Sequence, residues 1–96
     1  MRTIHKYSLK CWEVNKVKMP MESDIISAGL ANGQICIWAE VDTKSETSER
    51  AILVIGTGRE INERLALEKI GTVVQPPLSN APVSVMDLVW HVFEVL

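Results

Sequence analysis

The amino-acid sequence predicts a mainly β domain, bordering on α+β, with six to seven short antiparallel strands in a small sandwich or half-open barrel and one short helix. Two observations predict this class. Apolar and polar residues alternate at the period of a strand in several short segments, and an Asn-Gly pair at 32–33 separates two apolar runs. A chain of 96 residues holds one small core, so we expect a single domain over residues 1–96.

Alternation near the N-terminus predicts the first two strands. Residues 3–9 place their side chains in turn on two faces, and residues 14–19 do the same. Pro20 then ends the second segment, because a proline has no N–H to donate to a ladder. We therefore expect residues 14–19 to form a short edge strand.

The next two strands are predicted to form a β-hairpin. The run 25–31 leads into Asn32 and Gly33, and residues 34–41 continue with an apolar side chain at every second position. Asn and Gly both tolerate the positive φ that a type I′ turn requires, so Asn-Gly between two apolar runs is a strong hairpin signal.

Residues 42–49 contain no apolar side chain, which predicts a mobile surface loop between strands. Residues 51–55 are all apolar, which is typical of a strand covered on both faces, and the Gly-Thr-Gly at 56–58 ends it. In residues 60–69, Ile61 and Leu65 are about one helical turn apart. With Asn62 as a cap, they predict a brief helix, too short to be stable unaided.

The C-terminal part predicts one more short strand, a loop and a long last strand. Residues 70–75 alternate as a strand, and residues 76–84, with three prolines, predict a semi-rigid loop. Residues 85–96 are apolar on both faces, so this strand must be central or covered by a partner chain. The surplus of apolar residues therefore predicts a homo-oligomer, a dimer or a tetramer.

Charge and cysteine content exclude several classes of partner. The formal net charge of −2 predicts no binding to DNA or RNA polymers. With no apolar run of 18 residues and no signal sequence, we expect neither a membrane partner nor secretion. Cys11 and Cys36 have no metal-ligand or disulfide spacing, so we expect free thiols in a reducing compartment, no metal and no cofactor.

Candidate binding residues lie in two segments. The sequence Gly56-Thr57-Gly58-Arg59 follows an apolar strand and suits an anion cradle of backbone amides beside a guanidinium, although a tight turn that needs glycine explains it equally well. His5 and Tyr7 share one strand face and suit base stacking, with Lys6 on the other face; the alternative is a half-buried polar strand.

The remaining aromatic and catalytic candidates favour structural explanations. Trp38 and Trp90 are expected more in the core than in a ligand platform, and His91, in an apolar strand, is expected to be a core histidine with its hydrogen bonds satisfied. The residue types of a catalytic triad are present in Ser23, Asp24, Ser27 and His91, but no nucleophile elbow surrounds them, so they do not indicate a catalytic site. The sequence therefore predicts a protein that is not an enzyme.

Five sequence blocks, in one order and spread nearly end to end, carry a resemblance to a family. They are Thr3-Ile4-His5-Lys6-Tyr7-Ser8-Leu9, Ile37-Trp38-Ala39-Glu40-Val41-Asp42, Ile55-Gly56-Thr57-Gly58, Ile70-Gly71-Thr72-Val73 and Val89-Trp90-His91-Val92-Phe93-Glu94. With these blocks the chain resembles a family of short bacteriophage and prophage proteins. The resemblance implies a phage counter-defence protein in the cytoplasm of the infected bacterium. Such a protein sequesters a cyclic nucleotide signal of CBASS-type immunity without cutting it.

A nucleotide sponge of this kind needs aromatic faces for bases and a few fixed donors for phosphates. Under this hypothesis, the bases stack on His5, Tyr7, Trp38 and Trp90, and the phosphates are held by Lys6, Arg59 and the amides of Thr57 and Gly58. Two other functions stay open. One is a protein-interaction module that binds a host or virion protein through the apolar C-terminal strand. The other is a small nucleotide-processing enzyme with His5 or His91 as its base.

Overall fold

Seven β-strands form the computed structural model, which describes residues 1–77 and 87–96. The strands are β1 (Arg2–Ser8), β2 (Val14–Pro20), β3 (Asp24–Ala31), β4 (Gln34–Asp42), β5 (Thr47–Gly56), β6 (Leu67–Gln75) and β7 (Leu88–Val95). Every strand pair is antiparallel, and the described residues contain no helix, hence none that is long and apolar enough to cross a membrane. The predicted mainly β class is confirmed.

The strands are divided between two sheets. β1, β4 and β3 form a three-stranded sheet in the order β1-β4-β3, and the others form a four-stranded sheet in the order β2-β5-β7-β6. The two sheets meet where β3 lies beside β6, with Gly71 close enough to Ala28 that an added Cβ would lie 3.6 Å from its methyl group. Among the described strands no ladder joins the two sheets, so the barrel is not closed.

The β3–β4 hairpin forms as predicted. Asn32 and Gly33 have φ angles of 52° and 75°, both in the left-handed region that a type I′ turn requires. This turn fixes the register of β4, whose alternate side chains all point to the core. Ile35, Ile37, Ala39 and Val41 are each no more than 2% exposed.

The core lies between the two sheets. Met19 of β2, Ile37 of β4, Ile52 and Val54 of β5 and Val92 of β7 are all buried. Each such side chain stabilises the fold by about 1.5 to 3 kcal/mol relative to remaining exposed. β1 extends beyond this core, because His5 and Lys6 are both exposed although they lie on opposite faces of the strand.

The apolar runs in β5 and β7 follow from their position, since they are the two central strands of the four-stranded sheet. β5 and β6 run in the same direction with β7 between them, so residues 57–66 must pass β7 to connect the two strands. The prediction that the C-terminal strand is central is confirmed for Leu88–Val95.

The helix predicted for residues 60–69 is wrong. Asn62 accepts hydrogen bonds from the Leu65 amide through its carbonyl and from the Arg64 amide through its side chain, both at 3.0 Å, so a single turn forms. The chain then enters β6 at Leu67, which pairs with Val95. A helix of ten residues is marginal in water, and a ladder with a central strand outweighs it.

The loop predicted for residues 42–49 is shorter than expected. β5 begins at Thr47, and residues 47–49 pair with 18–20 of β2. Their side chains are polar, but a ladder at the edge of a sheet uses only backbone groups, so composition did not reveal it. The other predicted loop, 76–84, falls largely outside the described residues, as do residues 85 and 86 of the predicted last strand.

Short connections do not always join neighbouring strands in this fold. Residues 9–13 link β1 to β2, yet these strands belong to different sheets. β2 lies at an edge, as predicted, and its edge is blunted by Pro20 and by Lys16 and Lys18. β1 is also an edge strand, and it contains no proline and no bulge.

Asp42 makes the stability of the β1–β4 end depend on pH. Its carboxylate accepts hydrogen bonds from the Lys44 amide at 3.0 Å and from the ammonium group of Met1 at 3.1 Å. These hydrogen bonds hold the pKa of Asp42 below its ordinary value, and the hydrogen bond from Lys44 has the largest effect. A depressed pKa stabilises the fold above about pH 4 and ceases to do so as the pH falls through the folded-state value. We expect the NMR titration midpoint of Asp42 below that of a free aspartate. Asp42→Asn should lose less stability on acidification than the parent protein, and an ordinary midpoint would contradict this.

Candidate functional site

An aromatic recess lies at one end of the four-stranded sheet. It has a volume of about 270 Å³ and is lined by Trp12, Gly56, Thr57, Asp87, Leu88, Val89 and Trp90. Its walls come from the β1–β2 turn, the end of β5 and the start of β7. A depression of about 550 Å³ beside Arg2 and Glu40 is larger, but it has no aromatic wall. The aromatic recess is therefore the candidate site.

Trp12 forms the outer wall of the recess. The Trp12 amide donates to the Val54 carbonyl at 2.9 Å, which joins the turn to β5, and its φ is 70°. Its indole passes so close to Gly56 that an added Cβ would lie 2.7 Å from the ring. The side chain is nevertheless 53% exposed. Glycine at 56 thus provides the space in which a solvent-accessible indole lies across the end of the sheet.

Trp90 forms the inner wall and belongs to the core as well. It is 4% exposed, and its indole Nε1 donates to Gln75 Oε1 at 3.1 Å. Its ring meets Trp12 edge to face, with the ring centroids 4.6 Å apart and the planes at 72°. The expectation that Trp90 is a core residue is confirmed, and the same ring also lines the recess.

The Gly-Thr-Gly-Arg segment brings a cation to this site. Gly58 has a φ of 89°, and the Arg59 guanidinium lies 4.5 Å from the centre of the Trp12 ring in a cation–π contact. Two of the backbone amides serve the fold, because Thr57 donates to Val89 O and Arg59 donates to Gly56 O. The anion cradle predicted from this segment is thus reduced to the Gly58 amide and the Arg59 side chain.

His91 lies beside the recess on the outer face of β7. Its Nε2 lies 2.8 Å from Thr57 Oγ1, and its Nδ1 lies 3.5 Å from Thr72 Oγ1. The expectation of a histidine with its hydrogen bonds satisfied is confirmed, but the position in the core is wrong. Successive strand residues point to opposite faces, so a buried Trp90 places His91 on the outside.

The other four predicted site residues lie on the three-stranded sheet. His5 and Tyr7 share one face of β1, with ring centroids 6.3 Å apart, and burial raises the pKa of Tyr7. Lys6 and Trp38 are direct cross-strand partners on the other face. The structure therefore does not unite the eight predicted residues. Only Thr57, Gly58, Arg59 and Trp90 come together, because β1 pairs with β4 and not with β5 or β7.

Sequence reasoning missed Trp12 and Asp87. A large aromatic residue in the short polar connection between two predicted strands is a usable signal, since such a connection has no core of its own to bury an indole. Asp87 precedes β7 and gave no signal from the sequence alone. Within residues 1–77 and 87–96, no three His, Cys, Asp or Glu side chains gather as metal ligands would.

Gly56→Ala is expected to displace Trp12 while the fold survives. The added methyl group would overlap the far end of an exposed indole, which can swing outwards, so we expect the free energy of unfolding to fall by less than about 2 kcal/mol. In a ¹⁵N–¹H spectrum the indole signals of Trp12 and Trp90 should shift, whereas that of Trp38 should not. Unshifted Trp12 and Trp90 signals would contradict the contact.

Comparison with known proteins identifies a family. A family model described as Domain of unknown function (DUF7352) matches residues 1–96, the whole chain. No curated protein and no solved structure gives a significant match.

Proposed function

The chain belongs to the family Domain of unknown function (DUF7352), and we propose that it binds a small cyclic nucleotide at the Trp12–Trp90 recess and holds it without cleaving it. One observation carries the proposal. Thr57 and Trp90, both predicted to bind a ligand, line this recess, and the predicted Arg59 lies against the exposed Trp12 that forms its outer wall, so that stacking surface and cation occur together. Aromatic stacking with a nearby guanidinium is a common way to bind a base and its phosphate.

The size of the recess limits what enters it. Pockets for small molecules commonly measure about 300 to 1,000 Å³, so a volume of about 270 Å³ suits one base and not a complete cyclic dinucleotide. The remainder of the ligand would lie outside, towards Arg59. A ligand with one inserted base and one exposed phosphate therefore fits best.

The charges at the site are arranged for such a ligand. Asp87 lines the recess itself, where a phosphate would be repelled but a carboxylate would accept hydrogen bonds from the ring N–H or amino group of a base. Arg59 and the Gly58 amide lie after the end of β5, where they would donate to the phosphate. A net charge of −2 does not prevent this, because one small anion needs only local donors.

The biological setting of the proposal rests on the resemblance to phage proteins. In an infected bacterium, the protein would act in the cytoplasm as a sponge that lowers the concentration of a cyclic nucleotide immune signal. Retention without cleavage is sufficient for this role.

The deciding experiment combines binding with recovery of the ligand. Purified protein is titrated calorimetrically with cyclic mononucleotides and cyclic dinucleotides, then heated, and the released compound is identified by chromatography. We expect binding of at least one compound and its recovery intact. Arg59→Gln should weaken binding about tenfold, the typical loss of a charged hydrogen bond, whereas Lys6→Gln on the other sheet should not. No binding by any compound would overturn the proposal.

A second candidate function rests on the hydrogen bond between Thr57 and His91. A hydroxyl 2.8 Å from an imidazole at the edge of a ligand recess is an arrangement that nucleotide-processing enzymes use. This candidate predicts recovery of a cleaved product and loss of turnover in His91→Ala. If the parent protein and His91→Ala both retain the ligand intact, the result supports binding without cleavage.

A further inference from the structure

β1 presents a complete row of backbone hydrogen-bonding groups away from its own sheet. The Leu9 amide donates to the Ile35 carbonyl, and the Thr43 amide donates to the Met1 carbonyl. In the β1–β4 register, these bonds show that the odd-numbered residues of β1 form the hydrogen-bonded pairs with β4. The N–H and C=O groups of Arg2, Ile4, Lys6 and Ser8 therefore point outwards, and none of the other described strands pairs with them.

Of the four edge strands, β3 and β6 lie beside each other, and the other two, β1 and β2, differ in protection. On β2, Pro20 and two lysines discourage pairing with another chain. β1 has no proline or bulge, and Ile4, a residue of high β-propensity, is 56% exposed at its middle. Because β1 packs mainly against β4, its outer edge is not covered by a strand of the four-stranded sheet.

We propose that β1 pairs with β1 of a second copy of this chain, in antiparallel orientation about a twofold axis at His5. This pairing joins two three-stranded sheets into one sheet of six strands. Only the outward-pointing residues of β1 can form hydrogen-bonded pairs with the second copy. Near the middle of β1 this allows three registers, which are centred on Ile4, on His5 and on Lys6. Centring on Ile4 would set Arg2 opposite Lys6 of the second copy, and centring on Lys6 would set two lysines opposite each other. Like charges directly opposite are destabilising.

The register centred on His5 avoids both conflicts. It places Ile4 opposite Lys6 of the second copy, and Arg2 opposite Ser8. Glu40 is the cross-strand neighbour of Ile4 on β4, so it lies two strands, or about 9.6 Å, from Lys6 of the second copy. A lysine side chain spans most of that distance, so Lys6 of each copy would join the exposed ion pair that Glu40 of the other copy makes with Arg2, once on each side of the axis.

The proposal is tested first by mass. Sedimentation equilibrium of the full chain should show a dimer, and Ile4→Pro should raise the dimer dissociation constant at least tenfold. Its ring removes an N–H that points outwards, so the β1–β4 ladder remains and circular dichroism should be unchanged. Ile4→Thr keeps that N–H and should remain dimeric. A monomeric parent protein, or a dimer that Ile4→Pro leaves intact, overturns the proposal.

The register is tested by cysteine cross-linking. His5→Cys places two thiols directly opposite across the axis, so mild oxidation should produce a covalent dimer, whereas Ile4→Cys and Lys6→Cys alone should not. The parent protein controls for its own Cys11 and Cys36. If the parent is dimeric but Ile4→Cys or Lys6→Cys cross-links more efficiently than His5→Cys, the register is wrong. If Lys6→Glu leaves the dissociation constant unchanged, the charge argument fails.

Discussion

Replacing Arg50 by methionine is expected to lower the free energy of unfolding by about 2 to 3 kcal/mol and the melting midpoint by roughly 10 to 20 °C. Arg50 makes a bidentate ion pair with Glu94 and donates from its Nη1 to the Ser23 carbonyl at 2.8 Å. The side chains of Arg50 and Glu94 are 24% and 15% exposed, so the variant would leave the Glu94 carboxylate without its ion-pair partner in a largely buried position.

This ion pair joins parts of the chain that are far apart in sequence. Arg50 lies on β5, Glu94 on β7 and Ser23 in the β2–β3 turn. The hydrogen bonds to Glu94 raise the pKa of Arg50 above its ordinary value, so the guanidinium stays charged wherever the protein is folded. The expected loss therefore does not depend on pH in the neutral range.

A double variant separates the ion pair from its packing. Arg50→Met with Glu94→Met removes both charges, and replacing a buried pair by apolar side chains is often nearly neutral, so it should recover more than half of the loss. Arg2→Met, which breaks the exposed pair of Arg2 and Glu40, is the control and should leave the melting midpoint unchanged. Equal losses in Arg50→Met and Arg2→Met would show that burial of the pair contributes nothing.

Replacing Trp12 by alanine is expected to weaken the proposed nucleotide binding roughly 10- to 100-fold, because stacking on an aromatic side chain contributes about 1 to 3 kcal/mol per base. The variant should still fold, since half of the indole is exposed and Trp90 keeps its place in the core. Trp12→Phe retains a stacking face and should lie between the parent and the alanine variant. Isothermal titration with the compound that the parent binds measures all three.

Trp38→Phe is the matched control for Trp12. Trp38 lies on β4 in the other sheet, next to Lys6, and should have no effect on affinity. A loss in Trp38→Phe together with an unaffected Trp12→Ala would move the binding site to the three-stranded sheet.

Features set by short segments were predictable from the sequence. Asn32-Gly33 determined a hairpin because both turn residues carry their φ preference locally, and Pro20 ended β2 for the same kind of reason. The start of β5 at Thr47 and of β6 at Leu67 was not predictable, because pairing with β2 and β7 decides it. Where a ladder with a distant strand competes with local preference, the sequence shows only the local preference.

The candidate site divides in the same way. Thr57, Gly58 and Arg59 are adjacent in sequence and follow a recognisable strand, so they were found together. Trp12 joins them only because β2 pairs with β5, and this brings the residues before β2 beside Gly56. The separation of His5 and Tyr7 from the site has the same origin, since no local pattern shows that β1 and β2 belong to different sheets.

The order of strands in the two sheets also governs the route by which the chain folds. β3 and β4 are joined by a two-residue turn and are able to form within about 1 to 10 μs, whereas β1 must wait for β4 and β2 for β5. β5 finds its other neighbour only when β7, residues 88–95, is available. Domains dominated by such distant pairings fold in milliseconds to seconds. On a ribosome the four-stranded sheet would therefore be completed only after synthesis has passed β7, whereas all three strands of the β1-β4-β3 sheet are available once β4 has been made.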